Sequence, residues 1–227
     1  MIAGTGFKYN RIWKSFLAIF ASIWNCQFWV YGIIMPKLSI AVFASGGGTN
    51  LQALIDASKM GIFDGKISIV ISNNSGAYAL VRAANENIPV CHISNKKYPD
   101  QYEFMAKISE ALSSHDVNLI VLAGYMKLLP LEVIKKYRSR IINIHPALLP
   151  HYGGKGMYGA NVHRAVLENK DKISGATVHF VDELYDHGAI LIQRIAPVLP
   201  GDTPDSLAQR VLTIEHKILP LAVGMFK

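Results

Sequence analysis

The sequence predicts an α/β fold: an open, mostly parallel twisted sheet with helices on both faces and an antiparallel strand pair near the C-terminus. Three observations predict it. From residue 37 onward, short, continuous, β-branched apolar runs alternate with amphipathic stretches, as expected of strands buried on both faces and joined by crossover helices. A glycine-rich loop at 44–50 joins the first such run to the first helical stretch. After residue 172 the rhythm changes, and two strand-like runs follow one another with only a loop between them.

The elements follow in order. Residues 38–44 form a buried strand, followed by the glycine loop and a helix over about 50–60. A second strand (67–72) leads to a helix at 78–87, and a third strand (89–93) to a helix at 101–113 with Tyr102, Met105, Ile108 and Leu112 on one side. Strands at 118–123 and 140–144 flank a short helix at 131–136. The runs at 175–181 and 189–195 read as the antiparallel pair. Thr203-Pro204-Asp205 then supplies an N-cap with proline in the first turn of a last helix, which ends near Pro220.

Composition narrows the function class. Of the 227 residues 51% are apolar, enough for a sizeable core and too many for a disordered chain. The two cysteines, Cys26 and Cys91, are far apart and support neither a disulfide framework nor a zinc spacing, so a reducing, cytoplasmic setting is expected. The net charge of +7 favours anionic partners. No basic stripe is interleaved with aromatics, so a phosphorylated small molecule is expected rather than nucleic acid.

Residues 1–34 differ from the rest. They hold all three tryptophans, carry Lys8, Arg11 and Lys14 with no acidic residue, and run apolar from Ser15 to Ile34 apart from a few polar positions. A signal anchor or membrane span fits that pattern. Asn25 and Gln27 interrupt it, however, and Met35-Pro36-Lys37-Leu38 reads as a natural start leading into the first strand. We therefore expect 1–34 to be a hydrophobic extension outside the fold, no membrane partner, and a single catalytic domain over 35–227.

The loop Ser45-Gly46-Gly47-Gly48-Thr49-Asn50 matches neither the dinucleotide fingerprint nor a P-loop. Its glycines allow close approach of a bound anion, and the N–H groups at the following helix start point toward such a ligand. A turn that binds nothing would look similar. Its position at the carboxyl end of the first strand, where ligands of open α/β sheets bind, favours phosphate.

Asn143 and His145 sit two apart at the end of a strand and so share a face. An amide and an imidazole side by side suit a reaction that develops negative charge on oxygen: the amide donates to the oxyanion, and the imidazole carries a proton. Alone, the pair could equally be a turn asparagine and a surface histidine. The acidic loop that follows the strand at 175–181 offers a carboxylate that would orient the imidazole and raise its pKa. His145, His151, His163, His179 and His187 match no metal-ligand spacing, so no metal is expected.

At this point five motifs coincide in order. Ser-Gly-Gly-Gly-Thr-Asn-Leu-Gln (45–52), Val-Leu-Ala-Gly-Tyr-Met-Lys (121–127), Asn-Ile-His-Pro-Ala-Leu-Leu-Pro (143–150), Thr-Val-His-Phe-Val-Asp (177–182) and Ile-Glu-His (214–216) closely resemble the phosphoribosylglycinamide formyltransferase family. The resemblance runs from Met35 to the C-terminus. It implies the formyltransferase fold and transfer of a formyl group from 10-formyltetrahydrofolate, as cosubstrate, to the amine of glycinamide ribonucleotide in purine biosynthesis, without a metal. It implies that Asn143 and protonated His145 stabilise the oxyanion of a tetrahedral intermediate, with Asp186 supporting the imidazolium and relaying the amine proton. Loop 45–50 would hold the phosphate and Glu215 the ribonucleotide. Met126, Lys127, Leu128 and Leu129 would line the folate pocket, although Met126 could equally be core, and Thr177 and His179 would support the site from behind. A monomer or a homodimer fits the same reading.

The chain also departs from the family pattern. Where many members read Pro-Gly-x-His after Leu-Leu-Pro, residues 151–159 are His-Tyr-Gly-Gly-Lys-Gly-Met-Tyr-Gly. That longer loop suggests a mobile flap, with Lys155 available to neutralise substrate charge. Rival readings are another folate-dependent formyltransferase, a formyltetrahydrofolate hydrolase, and a non-catalytic or tethered nucleotide-binding module. The first two are disfavoured by the extra domains they are expected to carry, the last by Asn143, His145 and Asp186 occurring together.

Overall fold

A computed structural model describes residues 37–226. The stretch 1–34 and its expected boundary at Met35 lie outside the described residues. The chain runs β1 (Leu38–Phe43), α1 (Thr49–Lys59), β2 (Gly65–Ser72), α2 (Tyr78–Asn85), β3 (Val90–His92), α3 (Gln101–Ser113), β4 (Leu119–Leu122), α4 (Leu131–Lys136), β5 (Ile141–His145), α5 (Ala160–Glu168), β6 (Ile173–Phe180), β7 (Ile190–Pro197) and α6 (Pro204–Val223).

All seven strands form one sheet in the order β3-β2-β1-β4-β5-β6-β7. The pairings from β3 through β5 are parallel, and β5–β6 and β6–β7 are antiparallel, as the change of rhythm predicted. Strand order reverses between β1 and β4, which opens a crevice at their carboxyl ends.

Every residue of β1 is buried, because both of its faces are covered. Leu38, Ile40 and Val42 enter one core with Leu51 and Leu54 of α1 and Leu207, Val211, Ile218 and Leu219 of α6. Ala41 and Phe43 enter the other with Phe104, Ile108 and Leu112 of α3 and Val133 and Ile134 of α4. This period-2 division of one apolar run is what a doubly covered strand requires. Truncating Leu54 to alanine would cost about 2–5 kcal/mol by loss of burial and cavity formation.

Element edges shift by one to three residues. The last helix continues three residues past the expected end, to Val223, with Pro220 buried inside it. Its start carries the predicted cap, a reciprocal Thr203–Ser206 box. Helix α5 is an element the sequence reading lacked. It follows a glycine run, and its N-cap, Gly159, supplies no capping side chain, so nothing marked its start. Among the described residues, no helix is long and apolar enough to cross a membrane.

Candidate active site

β5 turns Ile142 and Ile144 into the first core, so Asn143 and His145 face the other way. Antiparallel pairing sets His179 opposite Asn143 and Thr177 opposite His145. Directly opposed residues share a face, so register alone gathers Asn143, His145, Thr177 and His179 into one polar patch. A slip of one residue would put Val178 there instead.

The loop between β6 and β7 brings Asp186 to this patch. Its Oδ1 lies 3.5 Å from His145 Nδ1, 3.5 Å from His179 Nε2 and 3.4 Å from Asn143 Nδ2. Its Oδ2 accepts the Gly154 N–H at 2.9 Å. Asp186 has φ +52, in the left-handed region that aspartate tolerates better than most residues. The other carboxylates of the loop stay outside: Asp182 pairs with exposed His187 at 2.9 Å, and Glu183 is exposed.

Carbonyl partners fix the histidine tautomers, because a carbonyl can only accept. His145 Nε2–H donates to the Tyr152 carbonyl at 2.8 Å, leaving Nδ1 to face Asp186. His179 Nδ1–H donates to the Phe180 carbonyl at 2.7 Å, and its Nε2 lies 3.1 Å from Asn143 Nδ2. The Thr177 hydroxyl donates to the Ala147 carbonyl at 2.6 Å and accepts from Leu149 N–H and Gln193 Nε2, pinning the turn after His145.

His145 is 4% exposed, and burial pushes its pKa below the ordinary value; Asp186 and the Tyr152 carbonyl pull it up, and His179 adds to the depression. The sequence expectation of a raised pKa is therefore corrected. Asp186 acts in the expected sense, and desolvation outweighs it. For Asp186, burial is the largest single influence and raises its pKa, but the adjacent His179 and His145 rings and the Gly154 N–H together hold it below the usual carboxylate range.

These groups line a crevice of about 680 Å³ that also takes in Asn50, Glu215, Gly124, Met126, Lys127, Leu128, Leu129 and the segment Gly154–Ala160. Its size lies within the range of about 300–1,000 Å³ usual for small-molecule sites. At one side, Asn50 Nδ2 donates to Glu215 Oε2 at 2.6 Å, while Asn50 Oδ1 is buried without a partner. Burial raises the Glu215 pKa, and the Asn50 bond opposes the rise.

The glycine loop reaches α1 through Gly48 at φ +71, where a Cβ would lie 2.7 Å from the Cα and Cβ of Ala79. Among the described residues, the amides of Gly46, Gly47 and Gly48 donate to no other group. They remain available to an anion at a helix start. The Gly46 and Gly47 carbonyls are occupied by Ala79 N–H and Arg82 Nε. The Ser45 hydroxyl donates to Asn73 at 2.5 Å and accepts the Met126 N–H at 2.9 Å, tying this loop to the 126–129 segment.

Met126 is 47% exposed and lines the crevice, as Lys127, Leu128 and Leu129 do, Leu129 from a buried place in the second core. The core alternative for Met126 therefore falls. Two contributors were missed. His163 on α5 is 4% exposed, lines the crevice and has an unpartnered Nδ1; burial and then the charge of His145 depress its pKa. Tyr152 supplies the carbonyl on His145. Val162 and Val166, four apart, were the available signal for the helix carrying His163. Among the described residues, no cluster of three His, Cys, Asp or Glu is arranged to hold a metal ion.

A formyl transferase family model matches residues 38–223. The chain is 41% identical over 186 residues to the chloroplastic phosphoribosylglycinamide formyltransferase of Vigna unguiculata, covering 82% of this chain and 60% of that protein. It is 42% identical over 187 residues to the phosphoribosylglycinamide formyltransferase of Haemophilus influenzae, covering 82% of this chain and 86% of the relative. It is similar in structure to glycinamide ribonucleotide transformylase 1 from Symbiobacterium toebii, with TM-score 0.78, 39% identity and coverage of 84% and 87% of the two chains.

Proposed function

The chain belongs to the formyl transferase family, and from that premise we propose that it transfers the formyl group of 10-formyltetrahydrofolate to the amine of glycinamide ribonucleotide, a step of purine biosynthesis. One observation carries the reading: the Asn143–His145–Asp186–His179 cluster and the Asn50–Glu215 pair line the same crevice. A nucleophile anchored at the second can therefore reach an acyl group held against the first.

The amine attacks the formyl carbon, and negative charge develops on the formyl oxygen. The bond from Asn143 Nδ2 to Asp186 is long at 3.4 Å, so that hydrogen is free to turn toward the oxyanion. Burial lowers the His145 pKa from its ordinary value, which favours a neutral resting imidazole acting as base over the protonated one that the resemblance implied. Its Nδ1 accepts the amine proton as the tetrahedral intermediate forms, and Asp186, 3.5 Å away, favours the resulting imidazolium. The same proton then passes to N10 of the folate as the carbon–nitrogen bond breaks. Exposed Met126 and Leu128 offer apolar surface to the folate, with Lys127 beside them for its anionic end. The free amides of Gly46–Gly48 suit the phosphate, and Ser45, Thr49 and Asn50 complete that loop. Small-molecule substrates, a cytoplasmic setting and a monomeric or homodimeric state belong to the same reading.

The test follows loss of the formyl group from 10-formyltetrahydrofolate with the full chain, with and without glycinamide ribonucleotide. The proposal expects formylated ribonucleotide in proportion to folate consumed, and no consumption without acceptor. Formate release in the absence of ribonucleotide would instead favour a hydrolase.

A further inference from the structure

The mechanism needs His145 to keep Nδ1 as its mobile-proton site, yet no side chain of the polar patch secures the far nitrogen. That task falls to Tyr152, through its main chain. Its carbonyl accepts from His145 Nε2–H at 2.8 Å, and two residues on, Gly154 N–H donates to Asp186 Oδ2 at 2.9 Å. Segment 152–154 thus grips the imidazole and the carboxylate together and holds them 3.5 Å apart.

The segment is held in an unfavoured conformation. Tyr152 has φ +57, a region a bulky side chain rarely adopts, and such a conformation persists only where the surroundings impose it. Gly153 packs so closely that a Cβ there would meet Leu149 Cδ2 at 2.7 Å and Asp186 Cβ at 3.2 Å. The far end of the Tyr152 side chain is tied down. Its hydroxyl donates to Asp171 Oδ2 at 2.5 Å and accepts from Asn169 Nδ2 at 2.8 Å, at the C-terminal end of α5. Beyond this anchor begins the glycine-rich run Gly153–Gly159, with Gly154, Gly156 and Gly159 all at positive φ.

We propose that Tyr152 is a positioning residue: its hydroxyl, clamped by Asp171 and Asn169, holds its carbonyl on His145 Nε2 and thereby fixes the tautomer in which Nδ1 carries the mobile proton. The titratable groups facing His145 are Asp186, His179 and His163; neither clamp variant replaces any of them, and Asp186 keeps its own contacts with His179 and Asn143. This inference rests on the formyl-transfer reading for its kinetic consequence, but the tautomer itself is observable without any substrate.

Tyr152→Phe keeps the ring and removes the clamp, and Asp171→Asn weakens it from the other side. The first readout is the nitrogen chemical shifts of His145 in the substrate-free full chain. The wild type should give a single Nε2–H tautomer, and Tyr152→Phe a mixture with Nδ1–H. In formyl transfer, kcat should fall by about tenfold in Tyr152→Phe and less in Asp171→Asn, with KM for the ribonucleotide unchanged. The acid limb of kcat/KM should move to lower pH, because the carbonyl that favours the imidazolium has loosened. Should Tyr152→Phe fail to fold, Asp171→Asn alone decides. A wild-type tautomer in a folded clamp variant overturns the proposal. A mixed tautomer in Tyr152→Phe beside a single one in a wild type that transfers no formyl group would support the clamp and sink the proposed reaction.

Discussion

Replacing Asp186 by Asn removes one negative charge and, at the position of Oδ1, the weak 3.4 Å acceptor of Asn143 Nδ2. Asparagine tolerates the left-handed backbone, so φ +52 requires no rearrangement. Its amide oxygen can still accept the Gly154 N–H, now at 2.9 Å. The lost element is the charge that faces His145 Nδ1 at 3.5 Å. At an effective dielectric of about 20, two unit charges at that separation attract by about 5 kcal/mol. The side chains of His145 and Asp186 are 5% and 11% exposed, so salt screens them little. The carboxylate is also shared with His179, Asn143 and Gly154, which leaves about half of that attraction, ~2–3 kcal/mol, for the imidazolium. If the imidazolium forms only as the intermediate does, that energy appears in the transition state, and kcat should fall roughly 30- to 150-fold. KM for the ribonucleotide, whose proposed anchor is the Asn50–Glu215 pair, should barely move. Losing a negative neighbour also disfavours the charged imidazole, so the His145 pKa, already below its ordinary value, drops further. The acid limb of kcat/KM shifts accordingly to lower pH. Steady-state formyl transfer at saturating substrates, from about pH 5 to about pH 8, measures both effects. A kcat within about threefold of wild type would refute the reasoning, since no placement of the charge near His145 permits so small a loss.

Three further predictions concern the rest of the crevice and the scaffold. Glu215→Gln replaces the carboxyl acceptor of the 2.6 Å bond from Asn50 by an amide and should raise KM for the ribonucleotide about tenfold with kcat nearly unchanged; substrate titration checks this, and an unaltered KM counts against ribonucleotide binding there. Gly48→Ala forces a side chain onto φ +71 and against the Ala79 backbone, and should cost about 2–4 kcal/mol in denaturant unfolding; a loss under about 0.5 kcal/mol would mean that the turn is not held as described. Burial depresses the pKa of both His145 and His163, so the unfolded chain takes up protons near pH 6.5 before the folded one does. Stability present above that pH is therefore lost as pH falls through the folded values; His163→Phe should flatten the fall in denaturation midpoint between about pH 8 and about pH 5.5, and an identical slope in the variant would exclude His163 as a contributor.

The parallel half of the fold was legible because burial on both faces forces continuous apolar runs. Leu38–Phe43 could be read as a strand with no knowledge of its neighbours. The antiparallel pair was legible from the short connection between two runs. Asn143 and His145 could be placed on one face by strand periodicity, but their opposition to His179 and Thr177 depends on register, which no local pattern specifies. Asp186 was singled out by resemblance alone. Its reach to His145 depends on a left-handed backbone and on Gly154, neither of which has a compositional mark among three neighbouring acidic residues. Helix α5 was missed because glycines precede it and no capping side chain opens it, which left the Val162–Val166 spacing as its one mark, and His163 was missed with it. The Tyr152 contact is a main-chain one, so the identity of the residue carries little trace of it.

The site lies where the sheet changes its pairing, and the two halves supply different chemistry for that reason. In the parallel half, β1 and β4 diverge into loops on opposite sides of the reversal in strand order, which leaves backbone amides and apolar loop residues around a crevice. Backbone donors of this kind suit a phosphate, and apolar loops suit a flat aromatic cosubstrate. Neither presents a histidine or a carboxylate. The antiparallel half does so because direct cross-strand opposition crowds four polar side chains from two strands onto one patch. Such crowding in a buried place would be unfavourable if left unsatisfied, and here every member is anchored: His145 on Tyr152, His179 on Phe180, Thr177 on Ala147, and Asn143 on His179. Ser45 joins the halves, its hydroxyl accepting the Met126 N–H while it sits in the glycine loop. Binding groups and reacting groups are thus held in register by the sheet itself, and the loops need supply only Asp186 and the bracket at 152–154.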